Sequence, residues 1–152
     1  MDLYDAMSTL RAVRRLRPDP IDEAVVERVL TAATWAPTGG NTQPWRIVAV
    51  TEPDVKQSLQ DLYKPHWDAY LPGYEARLAH MADDAKASST KAMDAGNYLA
   101  AHMYEVPLIA IFCFNPKFMT INDSDLDRPS VVGGGSVYPA VQNFLLAWRN
   151  EG

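Results

Sequence analysis

Pro37-Thr38-Gly39-Gly40-Asn41-Thr42-Gln43-Pro44-Trp45 is the stretch on which the reading of this chain turns. Its prolines, glycines and asparagine form a dense cluster of loop formers that permits unusual backbone angles. Glycines also let a backbone come close to a ligand, and Thr38, Asn41 and Gln43 offer donors and acceptors suited to a heteroaromatic ring. Two readings fit the chemistry alone. One is the rim of a pocket; the other is a helix-to-strand connection whose Asn and Gln satisfy buried backbone groups. Order and context decide between them.

Upstream, Asp22 has the character of an N-cap, with Ile21 and Val26 placed as a hydrophobic staple, and Val26, Val29, Leu30 and Ala33 fall on one helical face. This helix ends before Pro37. Ahead of it, a short helix from about Asp2 to Leu10 leads into a basic turn, Arg11 to Arg17, closed by Pro18-Asp19-Pro20. Downstream, Trp45 to Val50 is apolar except for Arg46 and suits a buried strand; Pro53 starts a helix bearing Val55, Leu59 and Leu62. Lys64 to Gly73, rich in Pro, Trp and Tyr, reads as an irregular or mobile segment before an Ala-rich helical stretch, Tyr74 to Glu105, in one or two pieces. Val106 to Phe114 is a second strand, and Asn115 to Gly135 a long polar loop ending in three glycines. Ser136 then caps a last helix with the stripe Val137, Val141, Phe144, Leu145 and Trp148. Two strands are fewer than a stable sheet normally needs, so a partner chain or further sequence is expected to complete it.

The 152 residues suit a single domain, and 47% hydrophobic with 22% charged residues is ordinary globular usage. A net charge of -5 argues against nucleic acid or an anionic membrane surface as partner. Cys113, the only cysteine, lies in the apolar run Val106 to Phe114, which predicts a buried thiol, no internal disulfide and a reducing, cytoplasmic compartment. Met1 to Leu10 has neither the basic nor the apolar region of a secretion leader, and the longest apolar run is too short to cross a bilayer.

Arg11, Arg14 and Arg15 could grip a phosphate through charge-assisted, often bidentate hydrogen bonds. Taken alone, they are explained better by a solvated turn pairing with acids such as Asp19. The ordered set does more. Arg11-Ala12-Val13-Arg14-Arg15, then a helix, then Ala36 to Trp45, then Gly134-Gly135-Ser136-Val137-Tyr138-Pro139-Ala140-Val141-Gln142-Asn143 opening a helix resembles the nitroreductase family of FMN-dependent enzymes, from about Tyr4 to Gly152.

That resemblance implies an α+β, three-layer sandwich with a central, mostly antiparallel sheet flanked by helices, and a homodimer with FMN bound at the subunit interface. Residues 1–152 would form a single such domain, truncated at the C-terminus relative to the family, whose members continue with a strand that offers a backbone N–H to the flavin and a basic residue for the phosphate. Whether the chain is a fragment, a truncated gene product or part of a split protein stays open. The resemblance places Arg11, Ala12, Val13 and Arg14 at the FMN phosphate and ribityl chain. It places Pro37, Thr38, Gly39 and Asn41 against the partner's flavin, with Gln43 supporting that rim and Ser136 reaching the same flavin at a helix N-terminus with free N–H groups. Leu10 and Ala12 stand where the family carries an arginine and a serine, so phosphate binding would lean on Arg11, Arg14 and backbone N–H groups. NADH or NADPH would reduce the flavin in a ping-pong cycle, and a nitroaromatic, quinone or similar acceptor would take the electrons. Since the flavin carries the chemistry, no catalytic side chain is named. The rival reading is a flavin-binding or interaction protein without catalysis. Trp67, Tyr70 and Tyr74 would either stack on the acceptor or pack at the dimer surface.

Three further patterns lead nowhere. His66, His80, His102 and Cys113 lack metal-ligand spacing, which predicts no metal. Asp123, Asp125 and Asp127 start like a calcium loop, but Arg128 and Gly134 occupy the positions of its glycine and its acid. Gly133-Gly134-Gly135 lacks the Lys-Ser or Lys-Thr of a phosphate loop and reads as a hinge.

Overall fold

The computed structural model describes residues 1–119, 122–128 and 134–152. In chain order the elements are α1 (Leu3–Thr9), α2 (Glu23–Thr34), a 3-10 turn (Gly39–Asn41), β1 (Trp45–Val50), α3 (Pro53–Leu78), α4 (Asp83–His102), a 3-10 turn (Met103–Glu105), β2 (Ile109–Phe114), a 3-10 turn (Pro116–Phe118) and α5 (Tyr138–Glu151). The chain divides into two compact units, one made of Met1–Arg11, Ile21–Ala49 and Ala110–Gly152, the other of Ala12–Pro20 and Val50–Ile109. Among the described residues no helix is long and apolar enough to cross a membrane.

In the first unit, helix starts follow their capping residues. Asp2 accepts the Asp5 N–H at 2.9 Å, and Asp22 accepts the Ala24 N–H at 2.8 Å, satisfying donors that a helix cannot satisfy itself. Val29 and Ala33 are the buried residues of α2, which packs on α5. Asn143 Nδ2 donates to the Ala32 carbonyl at 3.2 Å, and Arg28 grips the Glu151 carboxylate through Nη2 at 2.9 Å and Nε at 3.3 Å. The core is built from Ala36, Trp45 and Ala140 with Ile47 and Phe112 against them, and Phe112 meets Phe144 edge-on at 5.4 Å.

β1 and β2 pair antiparallel, and the Asn115 N–H donates to the Pro44 carbonyl at 2.7 Å just past the ladder's end. That register sets Arg46 opposite Cys113. Phe112 faces the core, so Cys113, the next residue along, faces the other way and is exposed, against the expectation of a buried thiol. β2 also starts three residues later than the apolar run. Val106 donates to the Met103 carbonyl in a turn, and Pro107 has no N–H for a ladder.

The second unit corrects the irregular segment expected at Lys64 to Gly73: those residues lie inside α3, which runs through Pro65 and Pro72. Each interior proline removes one helical hydrogen bond. What outweighs that loss is an aromatic file at helical spacing. Tyr63, Trp67, Tyr70 and Tyr74 stand next to one another with ring centroids 6.4, 5.6 and 5.7 Å apart. Trp67 Nε1 donates to Asn97 Oδ1 at 2.8 Å, and the Tyr74 hydroxyl donates to the Ser89 carbonyl at 3.1 Å, so the file is seated on α4. Trp67 and Tyr74 thus pack within the chain.

Lys56 is buried, and its Nζ donates to the Val106 carbonyl at 2.6 Å, while Gln60 Oε1 accepts the Tyr104 N–H at 3.2 Å. These two α3 side chains terminate the backbone where α4 gives way to β2. Lys56→Met keeps most of the side-chain volume but leaves that carbonyl without its donor, so a loss of about 1–3 kcal/mol in urea unfolding is expected. Unchanged unfolding would show that water supplies the missing bond.

Candidate functional site

The 37–45 stretch folds into a left-handed loop. Gly40, Asn41 and Gln43 have φ of 58°, 53° and 46°, so three residues in four adopt a region that side chains other than Asn and Gly rarely enter. The loop is fastened from within by Asn41 N–H to the Thr38 carbonyl at 3.0 Å, Thr42 N–H to the Gly39 carbonyl at 3.2 Å and Gln43 N–H to Thr38 Oγ1 at 3.1 Å. It is fastened from outside by Ser136 Oγ, which accepts the Gly39 N–H at 3.0 Å, and by Thr42 Oγ1, which donates to the Phe118 carbonyl at 3.2 Å. Pro37, Thr38, Gly39, Asn41, Gln43 and Ser136 are thereby brought together within the first unit.

Ser136 does this in place of the expected cap. α5 begins at Tyr138 with Val137 as N-cap and no side-chain cap bond. The helix start offers no free N–H either: Val137 and Tyr138 both donate to the Gly134 carbonyl at 3.0 Å, Pro139 has none, and Ala140 donates to the Val137 carbonyl. By contrast, no hydrogen bond engages the side-chain amides of Asn41 and Gln43 among the described residues. The loop spends its backbone and hydroxyl groups on its own shape and leaves its amides open. Beside it, a cavity of about 620 Å³ is lined by Thr42, Gln43, Pro44, Arg46, Cys113, Phe114, Asn115 and Phe118. The expected long loop, Asn115 to Gly135, is described only in part; residues 120–121 and 129–133, Gly133 of the glycine hinge among them, lie outside the described residues.

Of the basic stretch, Arg11 belongs to the first unit and Ala12, Val13 and Arg14 to the second. Arg11 Nη1 donates to the Ser8 and Leu10 carbonyls at 2.9 and 2.8 Å, and Arg14 Nη1 to the Ala12 carbonyl at 3.0 Å. Neither has a carboxylate within ion-pair distance among the described residues. Asp19 is paired instead with Arg17 at 3.2 Å. Arg15 lies over the Tyr98 ring at 4.2 Å, and the Tyr98 ring stacks on His102 with centroids 4.2 Å apart. Tyr98 and His102 carried a legible signal, an aromatic pair four residues apart on a helix, which pattern reading passed over.

His102 Nδ1 meets Glu105 Oε1 at 2.9 Å, and that bond pulls the Glu105 carboxyl below the ordinary carboxylate range. A lowered carboxyl adds stability above its unfolded-state value and loses it as pH falls through the folded one. Glu105→Gln is therefore expected to flatten the acid side of the stability curve below the ordinary carboxylate range; an unaltered acid limb would show that the pair contributes nothing.

Such an α+β fold is of the nitroreductase type. The model of the nitroreductase family matches residues 9–152, and the chain belongs to that family. It is 41% identical over 61 residues to NADH dehydrogenase of Thermus thermophilus, 40% of this chain and 30% of that one. It is 43% identical over 57 residues to 5,6-dimethylbenzimidazole synthase of Rhodobacter capsulatus, 38% of this chain and 28% of that one. In three dimensions it is similar to oxidized iodotyrosine deiodinase bound to FMN and 3-iodo-L-tyrosine, with a TM-score of 0.68 at 22% identity, over 99% of this chain and 71% of that one. The matched segments thus span less than a third of these curated relatives' lengths.

Proposed function

We propose that this chain binds FMN and belongs to a cytoplasmic, homodimeric oxidoreductase that takes a hydride from NADH or NADPH and passes reducing equivalents to a nitroaromatic, quinone or similar small acceptor. The observation that carries the reading is the loop, whose left-handed backbone is fastened by Thr38 and Ser136 while the Asn41 and Gln43 amides stay unspent among the described residues. A flavin ring edge alternates donors and acceptors, which a carboxamide matches because it offers both. Among the described residues Arg11 and Arg14 have no carboxylate within ion-pair distance, which leaves their charge for a phosphate. These residues fit the cofactor.

In this reading Arg14, aided by Arg11 and the backbone at Ala12 and Val13, holds the phosphate, and Pro37, Thr38, Gly39, Asn41, Gln43 and Ser136 form the flavin rim. Bound FMN supplies the hydride-accepting ring. The protein's residues bind it, orient it and keep its edge hydrogen-bonded, and none is assigned as acid or base. Thr38 and Ser136 act through the loop: by fixing its backbone they set the amides before the ligand arrives, which lowers the ordering cost of binding.

The test is the visible spectrum of the purified protein with its mass in solution, followed by nicotinamide oxidation with a quinone or nitroaromatic acceptor. Flavin absorbance, a dimer mass and acceptor-dependent oxidation support the proposal. Flavin without oxidation would favour a binding protein lacking catalysis, and failure to take up added FMN would overturn the reading.

A further inference from the structure

In the second unit, Arg15, Tyr98, His102 and Glu105 form a continuous file. The Arg15 guanidinium carbon is 4.2 Å from the Tyr98 ring centre, and the His102 ring centre is also 4.2 Å from it with the two ring planes 22° from parallel. Two groups at that distance cannot share one face of a ring, so Tyr98 is covered on both faces. His102 in turn is held by Glu105 at 2.9 Å. The file ties the loop segment Ala12–Pro20 to the last turns of α4, which is buried at Gly96 and Ala100. Arg17 spends its charge on Asp19 inside the same segment, and Arg14 on the carbonyl of Ala12.

We infer that the Arg15–Tyr98–His102 stack is a positioning device: it clamps the basic segment onto α4 and so holds Arg14, one residue before the clamp, ready to grip the FMN phosphate. This rests on the FMN reading above. Arg15 is the residue that makes the clamp possible, because a planar guanidinium lies flat on an aromatic face where an ammonium would hold less area. Without the clamp, Arg14 must be ordered when the ligand arrives, and the ordering cost is subtracted from affinity. Tyr98 and His102 touch no ligand in this account. Their effect passes through Arg14 and is confined to the phosphate.

That confinement gives the experiment. Dissociation constants for FMN and for riboflavin, which lacks the phosphate, are measured by flavin fluorescence on the intact chain and on Tyr98→Leu, Tyr98→Phe, Arg14→Ala and the double variant Arg14→Ala/Tyr98→Leu. Tyr98→Leu should weaken FMN about fivefold, in keeping with the loss of one cation–aromatic contact. Tyr98→Phe should restore it, since the ring is what Arg15 covers. Riboflavin affinity should be the same in all of them, and Tyr98→Leu should add nothing to Arg14→Ala. Equal weakening of FMN and riboflavin would overturn the inference in favour of a general packing role, as would FMN affinity unaltered by Tyr98→Leu. Should Tyr98→Leu fail to fold, Arg15→Gln, an exposed position, takes its place with the same expectations. Failure of the unsubstituted protein to bind FMN would remove the FMN reading itself, and the inference with it, a result distinct from one in which FMN binds and the variants behave alike.

Discussion

Gly96→Val is expected to lower the unfolding free energy by about 1–3 kcal/mol, the cost of forcing extra carbons into a filled space. A Cβ placed on Gly96 would fall 2.4 and 2.5 Å from two atoms of the Trp67 ring, well inside contact distance. The ring cannot swing aside without giving up the 2.8 Å bond from Nε1 to Asn97. Alanine brings the same clash but gains about 1 kcal/mol of helix propensity over glycine, so Gly96→Ala should be the milder change. Valine gains less and adds two methyl groups. Urea denaturation of both, with Trp67→Leu and the double variant Gly96→Val/Trp67→Leu, closes a cycle in which part of the loss should return once the ring is smaller. A Gly96→Val protein as stable as the parent would mean that α3 and α4 are not seated as described.

Arg14→Ala should weaken FMN by about 1.5–3 kcal/mol, the range for a hydrogen bond to a charged group, while leaving riboflavin unaffected. The contrast between the two flavins carries the weight, because a folding defect would weaken both. Arg11→Ala should show a smaller loss: both Arg11 bonds go to carbonyls of its own helix end, which competes with the phosphate. Lysine at position 14 keeps the charge and loses the planar fork, so Arg14→Lys should fall between alanine and the parent. If Arg14→Ala binds FMN like the parent, the basic stretch is the solvated turn that its composition also allowed.

Much of the first unit is legible in the sequence. Asp22 capping, the Val29–Ala33 face, the loop after Ala36 and the strand from Trp45 follow local rules that the structure obeys. The misreadings share a cause: local signals were trusted where a distant partner decides. Pro65 and Pro72 read as breakers, yet the 63–67–70–74 spacing was present in the same segment, and α4 rewards it. Ser136 read as a cap because serine before an apolar helix usually is one. Its hydroxyl goes instead to Gly39, which is 97 residues away in sequence. Cys113 sits in Ile109–Phe114, apolar at every position, so no alternation in the sequence says which side faces the core. Of the expected site residues, those of the loop and Ser136 were legible as a group that the fold brings together. That the loop's amides are open and its hydroxyls engaged was not, since the same residue types serve either purpose.

Gln43 stands in a left-handed conformation that glycine or asparagine would adopt at less cost. In a library randomised at positions 41 and 43 and screened for folding alone, glycine should therefore take over both; screened for retention of the yellow cofactor, the carboxamides should persist. The distance between those two residue distributions would measure how far the loop's composition answers to its ligand and how far to its own backbone.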